Sequence, residues 1–216
     1  MINYDGTYNQ IIKKASTKMG GALVVFEGHP QLLVGGFNFN LDDLPAPGCV
    51  LPCGTPVYCD EAARTITPVV TATVSAVDGT DATKVTLADV GFGTCAFNVG
   101  DTVAIVPTSL NTIITIGNYA TITAIDGLEI TLSNEITSLA ANKVIVQLDS
   151  SKKIKAVPNA ILPYDVVRSA DAISVDGDGM IGNDRPLLER RMPPYNDAMK
   201  AAVQANGHKL TFSNRK

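Results

Sequence analysis

The chain has 216 residues, 45% hydrophobic and 18% charged, with a formal net charge of −4 and no Trp. That apolar fraction is enough to bury a core, which excludes the disordered classes, and a weakly acidic balance lacks the basic footprint of a nucleic-acid binder. No run approaches the ~20 apolar residues of a membrane-spanning helix, and residues 1–18 lack a signal peptide's apolar block, so folding in the cytoplasm with reduced thiols is expected.

In chain order, residues 1–21 are polar and close on Gly20-Gly21; Ile11, Ile12 and Ala15 fit either one short helical face or an extended arm. Residues 22–26, Ala-Leu-Val-Val-Phe, predict a continuous apolar strand, Glu27 to Pro30 a turn, and Gln31 to Val34 the return strand. Phe37 and Phe39 alternate with Asn38 and Asn40, placing two aromatics on one strand face. Pro45, Pro47 and Gly48 mark a loop. Two short strands then flank the corner from Pro52 to Pro56. Pro52 and Pro56 cannot donate to a ladder, so these strands are expected at a sheet edge or to begin there. Residues 62–67 lead onward as a further strand.

Residues 69–148 read almost entirely as short strands, in keeping with their Val, Ile, Ala and Thr content. Within them, Ala72 to Gly79 (ATVSAVDG) returns forty-eight residues later as Ala120 to Gly127 (ATITAIDG), with five of eight positions identical. Each copy ends in Asp-Gly and is followed by a second alternating run, Lys84 to Leu87 or Glu129 to Leu132. Asp-Gly between alternating runs is a strong hairpin signal, because Gly accepts the positive φ of primed turns. The first copy has extra residues, Thr80 to Thr83, and so a longer connection. Residues 103–106, 113–116, 119–125 and 143–148 are further predicted strands. Two related hairpins imply a small closed barrel or sandwich.

After the polar exit at residues 149–153, residues 154–157 predict a short strand, residues 158–162 a turn into an apolar run, and residues 172–176 an alternating strand before a tight Asp176–Gly179 turn. Pro194, Asn196 and Gly207 carry the start and stop signals of the one good helix, over about residues 196–206. Residues 208–212 form a final strand. The expected fold is mainly β and discontinuous. Residues 1–67 and 151–216 make one β-rich unit with a short C-terminal helix, and residues 68–150 are an inserted barrel or sandwich.

The chemistry-bearing residues are sparse. Cys49, Cys53, Cys59 and Cys95 lack the answering Cys or His pair of a structural zinc site, and small buried residues are the expected reading. The Asp176–Asp184 stretch resembles a calcium loop superficially, but Met180 and Ile181 stand where an oxygen ligand and a glycine are needed. There is no phosphate-cradling Gly-rich loop. His29 and His208 are the only histidines, and neither stands with a nucleophile. The pairs Asp42-Asp43 and Asp60-Glu61 suit solvated charges better than acid–base work. No catalysis, cofactor or metal is expected.

Two segments carry a resemblance. Gly48-Cys-Val-Leu-Pro-Cys-Gly-Thr-Pro-Val57 with Asp60-Glu61, followed later by Pro158-Asn-Ala-Ile-Leu-Pro-Tyr-Asp-Val166, a Gly-rich turn at 174–182, a short helix and Leu210-Thr-Phe212, is similar in order to the head decoration (auxiliary capsid) proteins of tailed bacteriophages, including head-fibre bases. Ala160 stands where the family pattern has Gly. The resemblance covers about half the chain and implies a structural virion protein, made in the bacterial host cytoplasm, on the capsid exterior. It implies the major capsid protein as partner, a homotrimer, contacts with other head-fibre proteins, and neither nucleic-acid nor membrane binding. Candidate capsid or oligomer contacts are Pro47, Leu51, Pro52, Thr55, Pro56, Ile161, Leu162, Arg190 and Arg191. The last two belong to a charged cluster (Arg185, Glu189, Arg190, Arg191) that reads as a solvated face or as an arm paired with acidic capsid surface. The alternative function is adhesion to a host surface or glycan by residues 68–150. Tyr119 is the only Tyr or Trp there, which disfavours a sugar platform.

Overall fold

A computed structural model describes residues 20–33, 36–205 and 207–213. The alternatives for Ile11, Ile12 and Ala15 lie outside the described residues. Before the repeat come β1 (Gln31–Leu32), β2 (Phe37–Phe39), β3 (Pro56–Asp60) and β4 (Thr65–Pro68). Next are β5 (Thr71–Val77), β6 (Lys84–Leu87), β7 (Thr102–Ile105), β8 (Tyr119–Asp126), β9 (Glu129–Leu132) and β10 (Val144–Leu148). After them come β11 (Ala160–Ile161), β12 (Val175–Gly177), β13 (Met180–Gly182), β14 (Leu187–Leu188), the helix α1 (Asp197–Val203) and β15 (Phe212–Ser213). The protein is mainly β, with one short helix and a closed six-stranded barrel in the order β10-β5-β6-β9-β8-β7.

The seven-stranded sheet has the order β1-β13-β11-β3-β4-β2-β12, so it interleaves strands from both sides of the barrel. Only Asp178 and Gly179 join β12 to β13. Three Cα–Cα steps reach ~11 Å at most, whereas five strand spacings in a flat sheet would set these strands ~24 Å apart. The sheet is therefore strongly curled, and the chain steps from one edge almost to the other. Two glycines permit the close approach at that corner. A Cβ on Gly177 would lie 2.4 Å from Cε2 of Phe39, and one on Gly179 would lie 2.5 Å from Sγ of Cys59.

The internal repeat folds as two matching hairpins. In β5–β6 the pairing steps from Val74↔Leu87 to Ala76↔Thr86, and in β8–β9 from Ile122↔Leu132 to Ala124↔Thr131. Ser75 and Thr123 are thus the extra residue of the same bulge in each copy. The hairpins meet through β6 and β9, where Lys84 faces Thr131, Thr86 faces Glu129, and Val85 faces Ile130. That register is symmetric about the Val85–Ile130 pair, so a pseudo-twofold axis passes through it. Only the second Asp-Gly makes the expected tight turn: Gly127 has φ +59° and leads, with Leu128, straight into β9. Gly79 has no positive φ. Its longer loop is built by Asp78 accepting from Thr80 N–H (2.8 Å) and Asp81 accepting from Thr83 N–H (3.1 Å).

One core runs through both lobes. Phe37, Phe39, Val57, Cys59 and Ile66 of the curled sheet belong to the same cluster as Val74, Val85, Ile122, Ile130 and Ile145 of the barrel. Helix α1 fastens the seam from outside. Asn196 caps it, accepting from Met199 N–H at 2.8 Å. Met199 packs with Ala104 and Val146 on the barrel's outer wall, and Val203 packs with Phe26, Ile161 and Met180 of the sheet. Polar links cross the same seam: Asn98 Nδ2 donates to the Leu44 carbonyl (2.9 Å), and Asn196 Nδ2 to the Pro107 carbonyl (2.8 Å).

Several predicted elements take other forms. Residues 22–26 are a turn and an extended segment rather than a strand. Gly20 and Gly21 have positive φ, and the run's backbone is held by scattered bonds, such as Leu188 N–H to Val25 O, while Val25 and Phe26 are buried. Residues 113–116 are loop, with Ile113 and Ile116 exposed. Residues 154–157 contribute only the Leu148–Ile154 bridge, and Leu51 only a bridge to Val166. The helix stops at Val203, three residues short, because the chain turns back to bury Leu210. The final strand shortens to Phe212–Ser213.

Candidate functional site

The two motif segments, about a hundred residues apart in sequence, are zipped together at the seam. Leu51 and Val166 exchange backbone hydrogen bonds at 2.8 and 2.9 Å; Gly54 N–H donates to Leu162 O (2.8 Å), and Leu162 N–H to Thr55 O (2.9 Å). Pro56 then faces Ile161 and Val57 faces Ala160. The proline spacing explains the corner. Pro56 opens β3 where no N–H is needed, and Thr55 turns its hydroxyl back onto the Pro52 carbonyl at 2.7 Å. Gly54, at φ +86°, passes under Met192, whose Cβ would stand 2.6 Å from an added Cβ.

Side chains complete what backbone pairing leaves open. The buried Asp165 carboxylate accepts from Cys53 N–H (2.7 Å) with one oxygen and from Ala22 N–H (2.5 Å) with the other. Asn159 acts as a strand surrogate, accepting from Cys59 N–H (2.8 Å) and donating to Cys59 O (3.0 Å). Tyr164 donates to Asp178 (2.9 Å), and Tyr195 to the Gly54 carbonyl (2.8 Å). The sequence reading assigned no role to Asp165, Asn159 or Tyr195. The first two stand inside the quoted motif, which was the only signal available.

This arrangement places the nine candidate contacts unequally. Leu51, Pro52, Thr55, Pro56, Ile161 and Leu162 are all buried in the zipper or the core behind it. In the single chain these side chains hold the fold and leave little surface for a partner. Pro47, Arg190 and Arg191 are exposed.

Burial pushes the Cys53 thiol up, with the Asp165 charge adding to it. Burial likewise pushes Cys59 up to about 12, helped by Asp178 and Glu61, and also raises Cys95. Thiols held protonated in this way are poor nucleophiles and poor ligands. The carboxylates of the Asp176–Asp184 stretch diverge: Asp176 is exposed, Asp178 receives Tyr164, and Asp184 receives His29 N–H (2.8 Å). Among the described residues, no three His, Cys, Asp or Glu side chains gather in a metal-holding group. Asp60 caps its own turn through Ala62 and Ala63 N–H, and His208 Nδ1 sits 3.1 Å from the Val203 carbonyl. A cavity of ≈ 30 Å³ lies at the seam between Pro52, Val70, Leu87 and Cys95. That is room for a water or two, far below the ~300 Å³ of a small-molecule site.

No protein-family model, curated protein or solved structure matches the chain.

Proposed function

We propose that this is a structural virion protein that binds the exterior of a tailed-phage capsid, as a decoration or cementing protein or as a head-fibre base. The observation that carries the proposal is the zipper: the two segments that resemble decoration proteins are each other's backbone partners, from Leu51–Val166 to Val57–Ala160. They therefore act as one structural unit, and the barrel stands on it as an added lobe. The seam's chemistry supports the same reading, since Asp165, Asn159 and Thr55 are spent on backbone bonds and Cys53 and Cys59 are buried. A protein of this kind works by repeated attachment. Many weak contacts on a shell of identical subunits, or three from a trimer, raise avidity without strengthening any one contact.

The test is gradient sedimentation of the purified protein with purified heads that lack it. Co-migration with heads supports the proposal; a protein that stays at the top of the gradient at every input ratio refutes it. Against the glycan-adhesion reading stands the placement of Tyr119, which is half-buried and has one ring face taken by the Lys152 ammonium, 4.9 Å from its centroid.

A further inference from the structure

Charge is distributed unevenly along the fold. Residues 71–149 carry eight carboxylates and two lysines, whereas residues 183–216 carry seven Lys or Arg and three carboxylates. The barrel is therefore an acidic lobe on a chain whose C-terminal part is basic. Within that basic part lies the 3-10 turn Glu189–Arg191. Its one acid is drawn inward: Glu189 pairs with Lys200 at 2.9 Å, with both side chains mostly covered. Its two arginines are left outward. Among the described residues Arg190 makes no hydrogen bond or ion pair, and Arg191 only donates to the Val24 carbonyl at 3.3 Å.

The turn is also rigid. Leu187 and Met192 on either side are buried, Leu188 N–H bonds to Val25 O at 2.7 Å, and Pro193-Pro194 follow. Both ends of the described chain come here: Arg191 reaches Val24, and β15 pairs with β14 one residue before the turn. The sequence beyond each end is basic, with Lys13, Lys14 and Lys18 on one side and Arg215 and Lys216 on the other.

We infer that the Glu189–Arg191 turn is the centre of a basic docking face for an acidic protein surface, which on the reading above is the capsid's. Two adjacent guanidiniums on a fixed turn can each grip a carboxylate bidentately at little ordering cost. An acidic protein fits better than a nucleic acid, since the chain is net negative and its acidic barrel repels a polyanion.

The experiment mixes heads lacking the protein with wild type, R190E/R191E or R190K/R191K and measures binding by sedimentation at low and high salt, with urea unfolding as the check on folding. Wild type is expected to weaken with salt, and the reversed pair to bind at least ~tenfold more weakly. The lysine pair is expected to fall between them. Equal binding by wild type and R190E/R191E overturns this inference while leaving capsid attachment standing. Heads that never bind wild type overturn both. Arginine-dependent binding of wild type to duplex DNA replaces the acidic protein with a nucleic acid.

Discussion

Asp165 is the most exacting test of how the seam is held. Its carboxylate is 3% exposed, and each oxygen accepts one backbone N–H. The Cys53 N–H lies in the core, while Ala22 is exposed enough for water to reach its amide. Asp165→Ala strands the first donor and rehydrates the second. Charge-assisted bonds contribute ~1.5–3 kcal/mol each, and a buried unsatisfied donor costs ~1–3 kcal/mol. The expected loss is about 3–4 kcal/mol, a large share of the ~5–15 kcal/mol typical of a domain. Asp165→Asn keeps an acceptor for Cys53 but turns an N–H toward Ala22, so about 1.5–3 kcal/mol is expected. Urea unfolding followed by circular dichroism reads both as shifts in midpoint at constant slope. Amide exchange should quicken over residues 20–26 in the Asn variant before the barrel opens. An Asp165→Ala protein within about 0.5 kcal/mol of wild type would refute the claim that this carboxylate pins the N-terminal segment to the motif corner.

The duplicated dipeptides separate conformation from packing. Gly127→Ala, at φ +59° with no close neighbour, should cost about 1 kcal/mol, and Gly79→Ala almost nothing, as read by thermal unfolding; equal costs would show that the two turns are alike. In the native protein at neutral pH only the half-buried Cys49 should react quickly with a thiol reagent, and all four cysteines should react in denaturant. More than one fast thiol would contradict the buried positions of Cys53, Cys59 and Cys95. Cys59 is raised in the fold from 9 to about 12, so its contribution is complete below pH 9 and is lost as pH rises toward 12. Asp89, which accepts from the amides of Gly93, Gly91 and Phe92, is held below the usual carboxylate range, as are Asp149 and Asp184. Their contributions are present above ~pH 4 and fade as pH falls through the depressed values. Stability measured against pH should therefore fall at both ends, and a loss centred near neutrality would contradict this.

The sequence by itself determined the local elements whose signals sit within a few residues. Alternation placed Phe37 and Phe39 on one buried face, Asp-Gly with two alternating runs specified each hairpin, and Asn196 capped the helix three residues before the amide it binds. These follow from a two-residue side-chain period and from hydrogen bonds that close over three or four residues. The repeat even carried its bulge in the same register, although nothing in one copy alone announced it. Tertiary structure decided the rest. Residues 22–26 look like a strand because the run is apolar, yet only Val25 and Phe26 are buried, and the chain reaches them through a turn opened by Gly20 and Gly21 at positive φ. Leu51, Thr55 and Ile161 stood among the candidate contacts, yet each is buried against a segment about a hundred residues away. The curl that lets two residues carry the chain from β12 to β13 depends on glycines fitting against Phe39 and Cys59. Burial and strand pairing are properties of two segments at once, and which segments meet is set by the closure of the whole core.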